Sequence, residues 1–316
     1  MNIIESTIAS VDKWQRHNRF AAFPYSVIKK YGEDEAGYQS ALLTYYGFLS
    51  LFPLLLVVTT LLSIFGGHNE ALRQTIFNGL NHYFPTFGNQ LSGHIQGIHK
   101  SGIPLVIGIL FSLYGARGVA EAFRSGVNNI WQTPRVERIG FPLSIVNSLS
   151  IMGVAGAGFL LASVISSYAA AAGHGVLFWL LSIGVNIFIL FWMFRFLLNL
   201  ALPNRVPSKQ TRSAALAAAI GLVVLQLVGN LVISHELKTL DSVYSYFALP
   251  LGLLFWIYLQ AQIIYYAVEI ASVRSLSLYP RGIVNTDLTP ADKRAYAQLA
   301  RREQVTEKER IKTKFR

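Results

Sequence analysis

The sequence contains no cysteine among its 316 residues. Disulfide bonds, thiol catalysis and cysteine-ligated metals are therefore excluded. Charged residues are also scarce, because Asp, Glu, Lys and Arg together make up 14% of the chain, whereas a typical soluble domain has about 25%. Hydrophobic residues account for 53%. A chain with so little charge and so much apolar surface is expected to be a membrane protein.

The N-terminal segment lacks the continuous apolar run of a cleavable signal peptide. Its apolar residues instead recur at helical spacing. This pattern predicts amphipathic helices in residues 1–39, a cytosolic or interfacial segment lying at the membrane surface with Lys29 and Lys30 as anchors. The alternative is a short cap packed on the cytosolic ends of a bundle. The apolar positions at helical spacing are Ile4, Ile8, Val11 and Trp14.

Six apolar segments follow, each long enough to cross the roughly 30 Å hydrocarbon core of a bilayer as a helix. They predict an all-α fold, a polytopic membrane bundle of six transmembrane helices within residues 40–275. Pro53 is expected to kink the first span, and Gly153 with Ala157 forms a small-xxx-small pair that permits close helix approach. The predicted spans are about 40–66, 103–131, 142–168, 175–202, 213–234 and 248–272.

The longest connection, residues 67–102, has the helical periodicity of two short amphipathic helices on the outer surface. It also contains four of the seven histidines. Their spacing matches no standard metal site, such as two histidines at i, i+4 with a nearby carboxylate. We therefore expect no metal and no cofactor. The four histidines are His68, His82, His94 and His99.

Lysine and arginine alternate between connections in the way that encodes membrane topology. The terminal segments 1–39 and 273–316 contain five and eleven of these residues. The positive-inside rule then predicts that both termini are cytosolic and that the chain is a multi-pass protein of the bacterial inner membrane. The connections 67–102, 169–174 and 235–247 contain two, none and one, and 203–213 contains three.

The predicted second span carries charge inside its apolar sequence. Arg117, Glu121 and Arg124 are three or four residues apart, so they form one stripe on a helix. An ionisable residue in lipid faces a bundle interior or a watery cavity by default. The alternative interpretation is structural, with Glu121 offsetting one arginine while Arg124 reaches the headgroups by snorkelling.

Arg195 and Glu269 lie near the predicted cytosolic ends of the fourth and sixth spans. Together with the stripe they predict an arginine-lined cavity at the depth of the inner leaflet. A planar guanidinium binds phosphate or carboxylate oxygens bidentately, so the predicted ligand is an anionic headgroup. The two glutamates would be counter-ions or would exchange protons. The candidate substrate-binding residues are Arg117, Glu121, Arg124, Arg195 and Glu269.

Residues 276–316 form a basic cytosolic tail. Thr289 and Pro290 read as the N-cap and first residue of a helix. This helix is expected to be polar on every face, to lie in solvent or on an anionic leaflet, and to be dispensable for folding when the chain is truncated after Arg281. Nucleic acid is not the expected partner, because no aromatic platform accompanies the basic residues.

Four ordered segments resemble one family of membrane proteins. They are Ala41, Tyr45, Tyr46, Ser50, Leu51, Phe52 and Pro53; Asn128, Ile130 and Trp131; Arg195, Phe196, Pro203, Asn204, Arg205, Val206 and Pro207; and Trp256, Tyr258, Ala261 and Glu269. This set resembles the YihY/virulence-factor BrkB family, once labelled ribonuclease BN-like. The resemblance implies a six-span inner-membrane protein with cytosolic termini, and a lipid-translocating role has been suggested for the family.

The sequence favours a transporter or flippase for an anionic lipid or amphiphile. The alternative is a membrane scaffold or assembly protein of the cell envelope without transport activity. An enzyme is not expected, because no nucleophile–base pair or metal-ligand set is visible. Ribonuclease activity is disfavoured for the same reason, since the histidines are scattered. The expected partners are membrane lipids with anionic headgroups, and a homo-oligomer is compatible with the sequence.

Overall fold

The computed structural model describes residues 3–65, 102–171, 175–203, 206–236, 245–284 and 288–315. Within these ranges the chain is helical and contains no strand, which confirms the all-α prediction. A short 3₁₀ turn, Arg135–Glu137, follows the fourth helix. The helices are α1 (Ile3–His17), α2 (Arg19–Glu33), α3 (Ala36–Phe65), α4 (Gly102–Ile130), α5 (Leu143–Ala171), α6 (Val176–Ala201), α7 (Ser208–Glu236), α8 (Ser245–Ser275) and α9 (Pro290–Arg302).

The six longest of these helices, α3 to α8, lie at the positions of the predicted spans. Among the described helices, four are long and apolar enough to cross a membrane. The six-span arrangement and the cytosolic position of both termini stay predictions. The predicted amphipathic helices of the 67–102 connection and its four histidines lie outside the described residues. The four candidate spans are Leu143–Ala162, Val176–Ala201, Ser208–Gly229 and Pro250–Ser275.

Small residues bring the helices into contact, but not at the predicted pair. Gly153 has open space where a Cβ would stand, and Ala157 is exposed. The close approach between α5 and α6 is instead at Gly158, where an added Cβ would lie 2.5 Å from the Met193 sulfur. A small-xxx-small motif states only that two helices can approach each other. The rotation of α5 decides which small residue is at the contact.

The N-terminal segment divides into two helices with different surroundings. α2 packs on the end of α8, where Val27 and Val273 belong to one buried cluster. The expectation that Lys30 anchors this segment to the membrane surface is wrong, because Lys30 is 2% exposed. α1 instead presents its apolar residues outward, including Val11 and Trp14. α1 therefore keeps the exposed apolar face of an interfacial helix.

The tail helix α9 also packs on the bundle. Its start is as predicted, since the Thr289 hydroxyl and the Asp292 carboxylate form a reciprocal capping box. The expectation that the helix is polar on every face is wrong, because Ala291, Asp292 and Ala295 are buried. Asp292 can be buried because it is paired with Arg281, which is completely buried as well. Truncation after Arg281 would remove this partner, so the tail is part of the fold.

Candidate functional site

The charged stripe on α4 contains one ion pair. Arg124 donates from Nη2 to both oxygens of Glu121, at 2.9 and 2.8 Å. The Arg124 side chain is 9% exposed and that of Glu121 is 55% exposed. One turn further on, the Asn128 amide donates to the Arg124 carbonyl at 2.8 Å and to the Ala201 carbonyl of α6 at 2.9 Å. This end of the stripe is therefore held against α6.

Arg117 is also exposed, and it makes no hydrogen bond or ion pair with any described residue. Glu121 pairs with the arginine on its C-terminal side and not with Arg117. On the opposite face of α4, an added Cβ at Gly115 would lie 2.8 Å from the Ser50 Cβ of α3. Because α4 rests on α3 through this glycine face, Arg117 and Glu121 point away from α3.

Arg195 forms hydrogen bonds with the first residue of α7. Its guanidinium donates to the Ser208 carbonyl at 3.2 Å and to the Ser208 hydroxyl at 2.9 Å. It also lies over the Trp192 ring, 5.8 Å from the ring centroid. In the described part of the chain, no hydrogen bond or ion pair links Arg195 to the stripe on α4. Its present contacts order the start of α7.

Glu269 is completely buried and pairs with a lysine, not with an arginine. The Lys30 ammonium of α2 donates to Glu269 Oε2 at 3.0 Å and to the Ile130 carbonyl, at the end of α4, at 2.6 Å. It also donates to Asp34, one turn along α2. Lys30 thus joins three helices. Burial by itself would lower the pKa of Lys30, but the Glu269 and Asp34 carboxylates outweigh burial and raise this pKa.

Gln132 completes this lysine cluster, which we define as Lys30, Asp34, Gln132 and Glu269. The Gln132 amide donates to the Asp34 carboxylate. Its backbone has φ = 53°, in the left-handed region, where α4 ends. Sequence reasoning missed Lys30, Asp34 and Gln132. One signal was present, since Lys30 and Asp34 are opposite charges at i, i+4 on one face of a helix.

A second charged network, around Arg281, ties the tail to α2. Arg281 donates to the two Glu33 oxygens at 2.6 and 3.0 Å and to Asp292 at 2.8 Å. Lys29 also reaches Asp292, at 3.3 Å. The Gly282 N–H donates to the other Asp292 oxygen at 2.9 Å. α2, the end of α8 and α9 are therefore joined by ion pairs from separate parts of the chain.

These contacts shift the acid–base behaviour of both central groups. Burial alone would raise the pKa of Asp292, but the hydrogen bonds from Gly282, Arg281 and Thr289 lower it to about 2. Burial alone would lower the pKa of Arg281, and the hydrogen bonds to Glu33 and Asp292 raise it instead. Both groups are consequently held in their charged forms across the physiological range.

A small cleft with a cavity volume of about 10 Å³ lies between the lysine cluster and α9. Its walls are polar on the side of α2 and mostly apolar on the side of α9, where Gln298 is the polar exception. Within the described ranges, no group of three His, Asp or Glu residues is placed to hold a metal ion. The cleft is lined by Lys30, Glu33, Asp34, Gln132, Leu278, Ala295, Gln298 and Leu299.

The five predicted residues are therefore distributed over three environments. Glu121 and Arg124 are paired, with Arg117 exposed on the same face of α4. Arg195 holds a connection, and Glu269 belongs to the lysine cluster. The predicted grouping of all arginines around one cavity is not assembled by contacts among the described residues. The α4 face is the arrangement that leaves an arginine available to a ligand, because Arg117 is exposed and has no hydrogen bond or ion pair with a described residue.

Comparison with known proteins gives consistent matches. The family described as virulence factor BrkB matches residues 27–282. A UPF0761 membrane protein of Psychrobacter sp. (strain PRwf-1) is 28% identical over 274 residues, which is 81% of this chain and 49% of that protein. A UPF0761 membrane protein of Alcanivorax borkumensis is 26% identical over 279 residues, which is 84% of this chain and 62% of that protein. The chain thus spans about half to three fifths of these relatives, and no solved structure matches it.

Proposed function

The chain belongs to the virulence factor BrkB family of membrane proteins, and from this premise we propose that it moves an anionic lipid or amphiphile across the bacterial inner membrane. The proposed contact surface is the exposed face of α4, formed by Arg117, Glu121 and Arg124. The proposed partners are membrane lipids with anionic headgroups, without nucleic acid, metal or cofactor. We propose no enzymatic activity.

The exposure of Arg117 carries this proposal. A charged side chain is expensive in the hydrocarbon region and is found there with a counter-charge or in a hydrated cavity. Arg117 is exposed on a long apolar helix and has no partner among the described residues. A phosphate or carboxylate headgroup would supply the missing acceptor through two parallel N–H···O bonds. A lipid headgroup is the anion that we propose for this arginine.

The ion pair between Glu121 and Arg124, which follows Arg117 along α4, favours lipid movement over simple lipid binding. Arg117 and Arg124 are separated by about 10 Å along the helix axis. Arg124 is paired with Glu121, whose side chain is 55% exposed. A headgroup arriving from Arg117 can displace this carboxylate, which is able to turn into water. The two guanidinium groups would then be successive binding sites for one anion along the face of α4.

Lipid movement in liposomes tests the proposal. The purified protein is reconstituted with a fluorescent phosphatidylglycerol or phosphatidylcholine, and transfer between leaflets is followed by quenching from outside. We expect the anionic lipid to move faster than the zwitterionic one. Arg117→Gln should slow this transfer about tenfold, which corresponds to a barrier roughly 1.4 kcal/mol higher. Arg212→Gln, at an exposed arginine near the start of α7, is the matched control and should have no effect.

A wild-type protein that moves neither lipid above the rate in empty liposomes would overturn the proposal. Equal rates for Arg117→Gln and wild type would remove the α4 face from it. Either result would direct attention to the scaffold alternative, which one observation favours. Gly153, Gly156 and Ala157 lie exposed on α5, and small residues of this kind are enriched where membrane helices associate. A scaffold would show association through α5 without lipid movement.

A further inference from the structure

The lysine cluster contains one more acid than base. Lys30 is its cation, and Asp34 and Glu269 are its carboxylates. Their side chains are 3% exposed or less, and in the described chain neither carboxylate has another ion-pair partner. With all three groups ionised, the cluster would carry one uncompensated negative charge out of water. A buried charge of this kind is avoided by taking up a proton or a cation.

The position of the missing partner is visible at Glu269. Its Oε2 accepts from Lys30, whereas its Oε1 is buried and has no hydrogen-bond partner among the described residues. The Gln132 Oε1 atom, on a side chain that is itself buried, is also without a described partner. Both atoms are acceptors. Each of these two unsatisfied oxygen atoms therefore requires a hydrogen-bond donor.

We propose that Glu269 binds one exchangeable proton and that the lysine cluster is a proton-binding site open to the cytosol through the adjoining cleft. A proton from water bonds to the Glu269 carboxylate, which becomes a neutral carboxylic acid. The charge of the cluster then changes from one negative unit to zero. When the proton returns to water, the carboxylate and its negative charge are restored. The titratable neighbours on α2 are Lys30, Tyr31 and Asp34.

A proton is favoured over a metal cation by the residues already present. The Lys30 ammonium lies between both carboxylates and occupies the place that a cation would need. From α4, the cluster receives only the Ile130 carbonyl and the Gln132 amide, which do not titrate. A proton adds no volume and requires no further ligands. It can therefore be accepted without moving Lys30.

The cleft provides the route. Lys30 and Asp34 belong to both its wall and the cluster, while Glu269 lies behind them. A proton from the cytosolic water would pass along Asp34 and Lys30 to reach Glu269. Because Glu269 is in α8 and Lys30 contacts the end of α4, the charge change is placed where three helices meet. If the proposed lipid movement is proton-coupled, this site supplies the proton, and that step rests on the proposed function.

Infrared difference spectroscopy on the reconstituted full chain tests the site directly. A protonated carboxyl group has a C=O stretch that disappears on ionisation. A titration from about pH 5 to about pH 9 extends well above the ordinary range of glutamate. We expect the wild type to show such a band near neutral pH and Glu269→Gln to lack it. Glu121→Gln, at the exposed glutamate of α4, is the matched control and should retain the band.

Two further measurements locate the proton. Asp34→Asn leaves Lys30 and Glu269 as a neutral ion pair, so the charge count predicts that its band near neutral pH is lost. Selective ¹³C labelling of glutamate in the wild type should shift the band. This measurement is independent of whether any variant folds. A band that glutamate labelling does not shift, or no band near neutral pH, would overturn the assignment. Because none of these readouts measures lipid movement, the site can stand even if the proposed transport fails.

Discussion

At the residue scale, the buried charged residues of the lysine cluster and of the network around Arg281 form ion pairs with residues that are distant in the sequence. Lys30 and Glu269 are 239 residues apart, and Arg281 and Glu33 are 248 apart. Removing one partner of such a pair costs more than removing both, because it leaves a buried charge uncompensated. This end of the fold therefore depends on the N-terminal and C-terminal segments being present together.

Asp292 gives a pH-dependent prediction at this scale. Its pKa in the folded protein is about 2, below its ordinary value of 3.8, so the ionised form contributes stability that is present above about pH 4. This contribution is lost as the pH falls through 2, and it amounts to about 2 kcal/mol. We expect Asp292→Asn to lower the thermal stability of the detergent-solubilised protein at pH 7.

The difference between wild type and Asp292→Asn should shrink as the pH approaches 2. Thermal unfolding at a series of pH values measures it. Glu303→Gln is the control, because Glu303 is about half exposed where it contacts Arg135, and exposed ion pairs contribute little. An Asp292→Asn difference that does not change with pH would show that the carboxylate charge is unimportant to α9.

At the element scale, α4 packs on the bundle with one face and carries its charged residues on another. Its glycine face contacts α3 and α8, since an added Cβ at Gly126 would meet the Tyr265 ring at 2.5 Å. Its charged face carries Arg117 and Glu121. A helix with these two faces can hold a rigid position in the bundle while its arginines stay available. For this reason the position of α4 is tested separately from its charge.

Gly118→Ala should destabilise the protein. The new Cβ would stand 2.2 Å from the Tyr46 ring, so α3 and α4 would have to move apart. Overpacking of this kind typically costs about 1–3 kcal/mol. Gly153→Ala is the matched control, because nothing lies within 4 Å of its added Cβ and alanine favours a helix by about 0.5–1 kcal/mol. Thermal unfolding in detergent compares the two, and a Gly118→Ala variant as stable as Gly153→Ala would contradict this packing.

At the scale of the whole molecule, membrane helices and a layer of charged helices form one body. α2 and α9 cover the end of α8 through a buried cluster that includes Val27, Leu278 and Ala295. The match to the BrkB family begins at residue 27 and ends at residue 282, so it contains the second half of α2 but neither α1 nor α9. This layer places the lysine cluster and its cleft at the same end of the bundle as both chain termini.

The topology prediction belongs to this scale. The chain has no cysteine, so single cysteines can be introduced without a background. We expect Gly93→Cys to react in intact cells with a maleimide that does not cross the inner membrane, and Lys314→Cys to react only after the membrane is permeabilised. The reason is the alternation of lysine and arginine between connections. Reaction of both positions from the same side would contradict the six-span arrangement.

The sequence by itself determined the class of protein and the approximate ends of its long helices. Hydrophobic content, segment length and the N-cap at Thr289 are local properties. A bilayer and a helical backbone respond to them in the same way in any bundle. The charged stripe on α4 was also visible, since helical spacing alone places Arg117, Glu121 and Arg124 on one face.

Only the tertiary structure decided which partner each charge has. Spacing could not tell whether Glu121 pairs with the arginine before or after it, and the structure selects Arg124. Glu269 looked like the counter-ion of an arginine, yet it is paired with Lys30 of α2. These outcomes depend on the rotation of each helix and on contacts between segments more than 200 residues apart, and neither is encoded in a local pattern of residues.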